Sequence, residues 1–257
     1  MRREESRLYS SKNKKIVICF VFLFSFIIFA YGYRKVEEKA HTKPKDMNDK
    51  SPTPPSQGNT LEQCTESWPQ LDSGLRYQRL VDYHSYTGFG TYNLSNEEWD
   101  NREMIFNFKN NSELTDPISH QNAMEKAISL FTDLLVKTFG EHLPTLTLAC
   151  IPASTAEKTE ARFKEFARRM TETTGMANGY DHIQVVVDQD PEKLGDSHLP
   201  QYAIDPEYFK GRKVLLFDDI MATGNSIGKF AKHMEEAGAD IVAAVVLGKT
   251  VSHPSNE

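Results

Sequence analysis

The most constraining stretch of the chain is thirteen residues long: Val214-Leu215-Leu216-Phe217-Asp218-Asp219-Ile220-Met221-Ala222-Thr223-Gly224-Asn225-Ser226. Four consecutive apolar residues read as a strand buried on both faces, and such a strand belongs in a parallel sheet covered by helices on either side. Two adjacent acids stand at its carboxyl end, a loop of small residues follows, and a helix begins. Ligands of open α/β sheets bind just outside the carboxyl ends of the strands. Ala222, Thr223 and Gly224 let backbone N–H groups approach an anion closely. Thr223 and Ser226 add hydroxyl donors, and the helix presents its positive N-terminus. Carboxylates aimed at a phosphate would repel it, whereas carboxylates facing the vicinal hydroxyls of a sugar accept their hydrogen bonds. The bare chemistry is a sugar-phosphate site, with Asp218 and Asp219 on the sugar and the loop amides on the phosphate. A ligand-free strand–turn–helix with an incidental acid pair is the plain alternative.

The surrounding pattern alternates strands and helices, as an open parallel sheet requires. Ser95-x-x-Glu98 predicts a capping box opening a short helix, and Asp116-Pro117 an N-cap with proline at the first helical position. Met124, Ala127, Ile128, Phe131, Leu134, Leu135 and Phe139 fall at helical spacing, and Gly140 closes that helix. A short strand is expected at Leu146–Ile151, a helix at Lys158–Thr173 and a strand at Ile183–Val187. A long polar stretch, Asp188–Pro206, comes next. The motif strand is expected at Lys213–Phe217, a helix at Ser226–Ala237, and a last buried strand at Ile241–Leu247.

Charge is unevenly spread over the 257 residues. The net charge is −6, yet residues 1–50 carry twelve Lys/Arg against six Asp/Glu. The acidic remainder argues against nucleic-acid binding as the main activity. Cys19, Cys64 and Cys150 are widely spaced, so neither a disulfide framework nor a zinc site is legible. Cys150 lies in an apolar run and reads as a small core residue.

Residues Ile16–Tyr33 form an uncharged apolar run behind a basic tail at 1–15. Eighteen helical residues span roughly 27 Å, enough to cross a bilayer. An uncleaved single-pass anchor is the favoured reading. A signal peptide cleaved near Ala30-Tyr31-Gly32 is the alternative. Six Lys/Arg on each flank leave the orientation undecided by charge. Residues 34–74 are rich in Lys, Pro, Ser, Asn and Asp and read as a disordered linker. The folded domain is then expected at 75–250, with a small N-terminal hood near 75–115 and a tail at 251–257.

The thirteen-residue segment resembles the phosphoribosyl-pyrophosphate (PRPP) signature of the type I phosphoribosyltransferases, with Ala222 at a position often held by Thr. A weaker likeness extends upstream. Ala149-Cys150-Ile151-Pro152-Ala153-Ser154 occupies the place of the family's pyrophosphate loop, and Lys158 and Arg162 follow one helical turn apart. The run of Pro, Ser, a basic residue and Arg162-Phe163 is similar to the ComF-like branch, although there the Arg is usually followed by Gly. Asp188–Pro206, with Gln189 and His198, stands where the family carries a mobile loop. Tyr77, Tyr83, Tyr86, Phe89, Tyr92 and Trp99 would furnish the hood, chiefly as its core.

The resemblance implies an α/β fold with an open parallel sheet, helices on both faces and a small hood. It implies transfer of 5-phosphoribosyl from PRPP to a nucleobase or amine with release of pyrophosphate. Asp218 and Asp219 would hold the ribose hydroxyls and steady the charge that develops on the ring. Ile220, Met221, Ala222, Thr223, Gly224, Asn225 and Ser226 would surround the ribose phosphate, and Ala153, Ser154, Lys158 and Arg162 the pyrophosphate. Mg²⁺ would arrive on PRPP, reaching Asp218 and Asp219 through water rather than by direct ligation. The expected partners are PRPP, a small acceptor and a membrane, with a homodimer allowed. Two alternatives stay open: a non-catalytic module at a membrane that senses PRPP or a nucleotide, and a scaffold with a vestigial site. Because PRPP is a cytosolic metabolite, the domain is expected to face the cytoplasm.

Overall fold

Apolar side chains on the central strands divide between two cores, as a sheet covered on both faces demands. The computed structural model describes residues 60–84, 94–110, 114–186 and 201–251, all within the unit Gln57–Glu257. Its strands are β1 (Tyr77–Tyr83), β2 (Leu146–Cys150), β3 (Ala177–Asn178), β4 (Ile183–Val186), β5 (Gln201–Ile204), β6 (Lys213–Met221) and β7 (Asp240–Thr250). Its helices are α1 (Asn96–Phe108), α2 (Pro117–Phe139), α3, α4 (Pro206–Phe209) and α5 (Asn225–Glu236). Helix α3 runs as Ala156–Thr159, a single π turn at Glu160–Lys164, and Glu165–Thr174.

Five strands form one sheet in the order β1-β7-β6-β2-β3, and every pairing in it is parallel. Leu215 and Phe217 of β6 face a core shared with α1, α2 and α3. Val214 and Leu216 face the opposite core, built with α5 and the β4–β5 ribbon. Helices therefore lie on both faces, as expected. Phe217 is pinned most firmly. Its ring stacks on Phe166 at 4.2 Å and meets Phe131 at 4.9 Å, with Phe108 and Phe163 edge-on beyond. Aromatic pairs at such separations add about 0.5–1.5 kcal/mol each beyond simple burial. The residue just before the acid pair is thus held by four rings on one face of the sheet.

The caps read from the sequence are present. Ser95 and Glu98 form a full capping box, and the Asp116 carboxylate accepts the N–H groups of Ile118 and Ser119 at 3.0 Å.

Three expectations are corrected. The linker does not extend to residue 74. Residues 60–74 are folded, with a 3₁₀ turn at Gln63–Thr65. Leu61 and Trp68 are buried, and the Trp68 indole meets Phe139 edge-on at 5.9 Å. These apolar anchors tie down a segment whose average composition is polar. The hood expected near 75–115 is not a separate layer among the described residues. β1 joins the main sheet beside β7, buried Tyr77 belongs to the α5-side core, and α1 packs into the other core through Met104, Ile105 and Phe108. Finally, the strand expected at Ile183–Val187 leaves the main sheet. It pairs antiparallel with β5, so the end of the supposed polar stretch is itself a strand followed by an N-capped helix at Asp205.

Gln189, His198, Tyr86, Phe89 and Tyr92 lie outside the described residues, as do the apolar run 16–33 and the tail beyond 251. Among the described residues no helix is long and apolar enough to cross a membrane.

Candidate active site

β6 continues to Met221, so Asp218 and Asp219 are residues of the strand itself rather than of the loop after it. Neighbouring residues of a strand point to opposite faces, and the two acids accordingly meet different surroundings. Asp219 is buried, its side chain only 7% exposed. Its Oδ2 accepts a hydrogen bond from Arg162 Nη1 at 2.9 Å, and Lys109 Nζ stands 3.8 Å from its Oδ1. Arg162 Nε in turn donates to the Lys109 carbonyl at 3.2 Å. Arg162 reaches the acid from the π turn of α3. A π turn shifts the angular register of a helix, and such turns often occur at functional sites.

Asp218 is partly buried, and its Oδ1 accepts the backbone N–H of Asp219 at 2.8 Å. Burial first, and the Asp219 carboxylate second, push its carboxyl well above the usual range, against a smaller opposing pull from Lys109 and Arg162. The Tyr202 phenol across from it is raised to about 12 by burial and by the Asp218 charge. Cys150, at the end of β2, is fully in the core and its thiol is raised by burial, which matches its reading as a packing residue.

The loop after the acids has the expected form. Ala222 and Thr223 are exposed. Gly224 stands at φ +87°, the left-handed region, as the N-cap of α5. Asn225 and Ser226 are exposed on the first turn, and the Asn225 N–H reaches Thr223 Oγ1 at 3.4 Å. Ile220 and Met221, expected to touch the ribose phosphate, place their side chains in the core instead. Only their backbone is left to face a ligand.

The second loop leaves β2 directly beside β6, and the Ile151 N–H donates to the Phe217 carbonyl at 2.8 Å. Both loops therefore open at the same edge of the sheet. Within it the Ala153 N–H is taken by Thr159 Oγ1 at 3.0 Å, and Thr155 caps the Lys158 N–H. Ala153 thus holds the loop's shape through its amide. Ser154 and Lys158 are exposed at the loop and on the first turn of α3. Of the four residues expected on the pyrophosphate, Arg162 is the one brought against the acids.

Lys109 was not legible as a site residue. It is the C-cap of α1, about 110 residues upstream of the acid it meets. The signal available was modest: a lysine directly after the buried face formed by Met104, Ile105 and Phe108.

Residues 153–255 match the family described as the phosphoribosyl transferase domain. That match takes in Arg162, both acids and the loop to Ser226, and leaves out β1, α1, α2, β2 and Lys109. No curated protein matches the chain. Similar solved structures include an adenine phosphoribosyltransferase, 18% identical over 50% of this chain and 71% of the other, with a TM-score of 0.36. An orotate phosphoribosyltransferase from Aeropyrum pernix is 21% identical over 52% and 66%, at a TM-score of 0.32. A hypoxanthine-guanine phosphoribosyltransferase from Schistosoma mansoni in complex with IMP is 17% identical over 68% and 84%, at 0.30.

Proposed function

We propose, from the match of residues 153–255 to the phosphoribosyl transferase domain family, that this chain moves 5-phosphoribosyl from PRPP to a nucleobase or amine and releases pyrophosphate. The observation that carries this reading is the juxtaposition of two loops at the carboxyl ends of adjacent parallel strands, β2 and β6, with an acid pair between them.

The division of labour follows from the geometry. The amides of 222–226 and the N-terminus of α5 suit the 5′-phosphate. Asp218, partly exposed and without a cation at short range among the described residues, suits a ribose hydroxyl. Its raised proton affinity also suits a base toward the acceptor. Arg162 and Lys109 supply positive charge beside the departing pyrophosphate. Mg²⁺ would be carried by PRPP and would neutralise charge on the leaving pyrophosphate; the Asp218 carboxylate is the hard oxygen donor that would hold it through water.

A second reading has one observation in its favour. Asp219 is already committed to Arg162 and Lys109, which suits a module that binds PRPP without turning it over. PRPP-dependent release of pyrophosphate, measured with a panel of bases and amines, separates the two. Release with any acceptor supports the enzyme, and binding without release supports the sensor.

The apolar run 16–33 completes the reading as a single-pass anchor with the domain on the cytoplasmic side, where PRPP is made. Protection of the domain from protease added outside intact cells is the expected result. Digestion from outside contradicts that orientation.

A further inference from the structure

Gly224 sits at φ +87°, a conformation glycine adopts and leaves with little cost. Nothing intrinsic to the residue therefore keeps the phosphate loop in its ligand-ready shape. The structure supplies a restraint from the N-terminal segment. Leu71 lies so close behind Gly224 that a Cβ there would fall 2.5 Å from Leu71 Cδ2 and 2.9 Å from Cδ1. One turn along α5, a Cβ on Gly228 would fall 3.1 Å from Ser73 Oγ. The two glycines form a seat into which the turn at 71–75 fits, leaving beside it a cavity of about 270 Å³ that Thr223, Asn225 and Lys229 also line.

The turn is itself well fixed. The Leu71 N–H donates to the Leu75 carbonyl at 2.9 Å, and the Gly74 N–H to the Leu71 carbonyl at 2.8 Å. Gln70 and Arg76 form a bridge across its base. The Arg76 guanidinium donates to the carbonyls of Glu66 and Trp68 at 2.6 and 3.1 Å, and Trp68 is anchored on Phe139.

We infer that Leu71 is a positioning residue for the phosphate loop: the 71–75 turn is a buttress that holds Gly224 in its left-handed form and so sets the affinity for the 5′-phosphate. The inference rests on the phosphoribosyl reading above and adds a part that lies outside the matched domain.

The test is calorimetry on the full chain, with ribose 5-phosphate and magnesium pyrophosphate titrated separately. A loop that is ligand-ready a tenth of the time binds tenfold more weakly. Leu71→Ala should therefore weaken ribose 5-phosphate about tenfold and leave pyrophosphate, which belongs to the other loop, within about twofold. Leu71→Met should restore most of the loss. Gly228→Leu, whose side chain must displace Ser73 because a Cβ alone already falls 3.1 Å from its Oγ, should act in the same direction as Leu71→Ala, and it decides the matter should Leu71→Ala fail to fold. Unchanged ribose 5-phosphate binding overturns the inference, and so does a parallel loss of both ligands, which is what general loosening of the fold produces. A parent chain that binds neither ligand overturns the phosphoribosyl reading itself, and the buttress with it.

Discussion

At Asp218, burial and the adjacent Asp219 carboxylate both oppose the charged form. The folded protein then holds this proton more tightly than the unfolded chain does. Stability is fully present below the ordinary carboxylate range and is lost as pH rises through the raised value. Asp218→Asn removes that loss. The variant should melt higher than the parent at neutral pH, with the difference closing toward pH 3; a thermal-unfolding series against pH checks it. Asp219 is the contrasting case, buried against a guanidinium. Arg162→Met strands its carboxylate and should cost about 3 kcal/mol. Lys109 is a third exposed and farther from the acid, so Lys109→Met should cost less than about 1 kcal/mol. Denaturant midpoints of the two variants measure both. Equal costs would contradict the geometry drawn for the pair.

β6 carries the site because Phe217 locks the middle of the strand, directly before the acids, among four other rings. Phe217→Ala should cost about 3–5 kcal/mol, read from denaturant unfolding, whereas Phe217→Leu, which keeps most of the volume, should cost far less. The strand itself was legible in the sequence: Val214 to Phe217 are apolar without interruption, as a strand covered on both faces requires. The caps at Ser95 and Asp116 were legible too, because their chemistry is local. The extension of β6 through the acids was not legible, since Asp218 and Asp219 look like a loop until β7 is seen to pair alongside them. Nor was the π turn that aims Arg162, because no residue in Glu160–Lys164 announces it. The β4–β5 ribbon was missed for a related reason. Pairing between strands separated in sequence leaves no mark in either strand alone. Lys109 meets Asp219 only through the packing of α1 on the sheet, a tertiary fact.

The whole molecule has its folded boundary farther upstream than its composition suggests. Low hydrophobicity across 34–74 conceals Leu61 and Trp68, and these two tie the segment to the core. A chain shortened to begin at Gln57 should keep the parent melting temperature within a few degrees. One that begins at Leu75 loses the Trp68 contact, about 3–5 kcal/mol, which corresponds to roughly 10 °C for a domain of this size. Thermal unfolding of the two shortened chains distinguishes the boundaries, and equal melting temperatures would return the start of the domain to residue 75. The central claim concerns the ligand, and titration of PRPP with Mg²⁺ into the full chain by calorimetry tests it most directly. The account predicts saturable binding that falls at least about a hundredfold when Asp218 and Asp219 are both changed to Asn. An absence of heat with the parent chain, or affinity that the double substitution leaves unchanged, would contradict it.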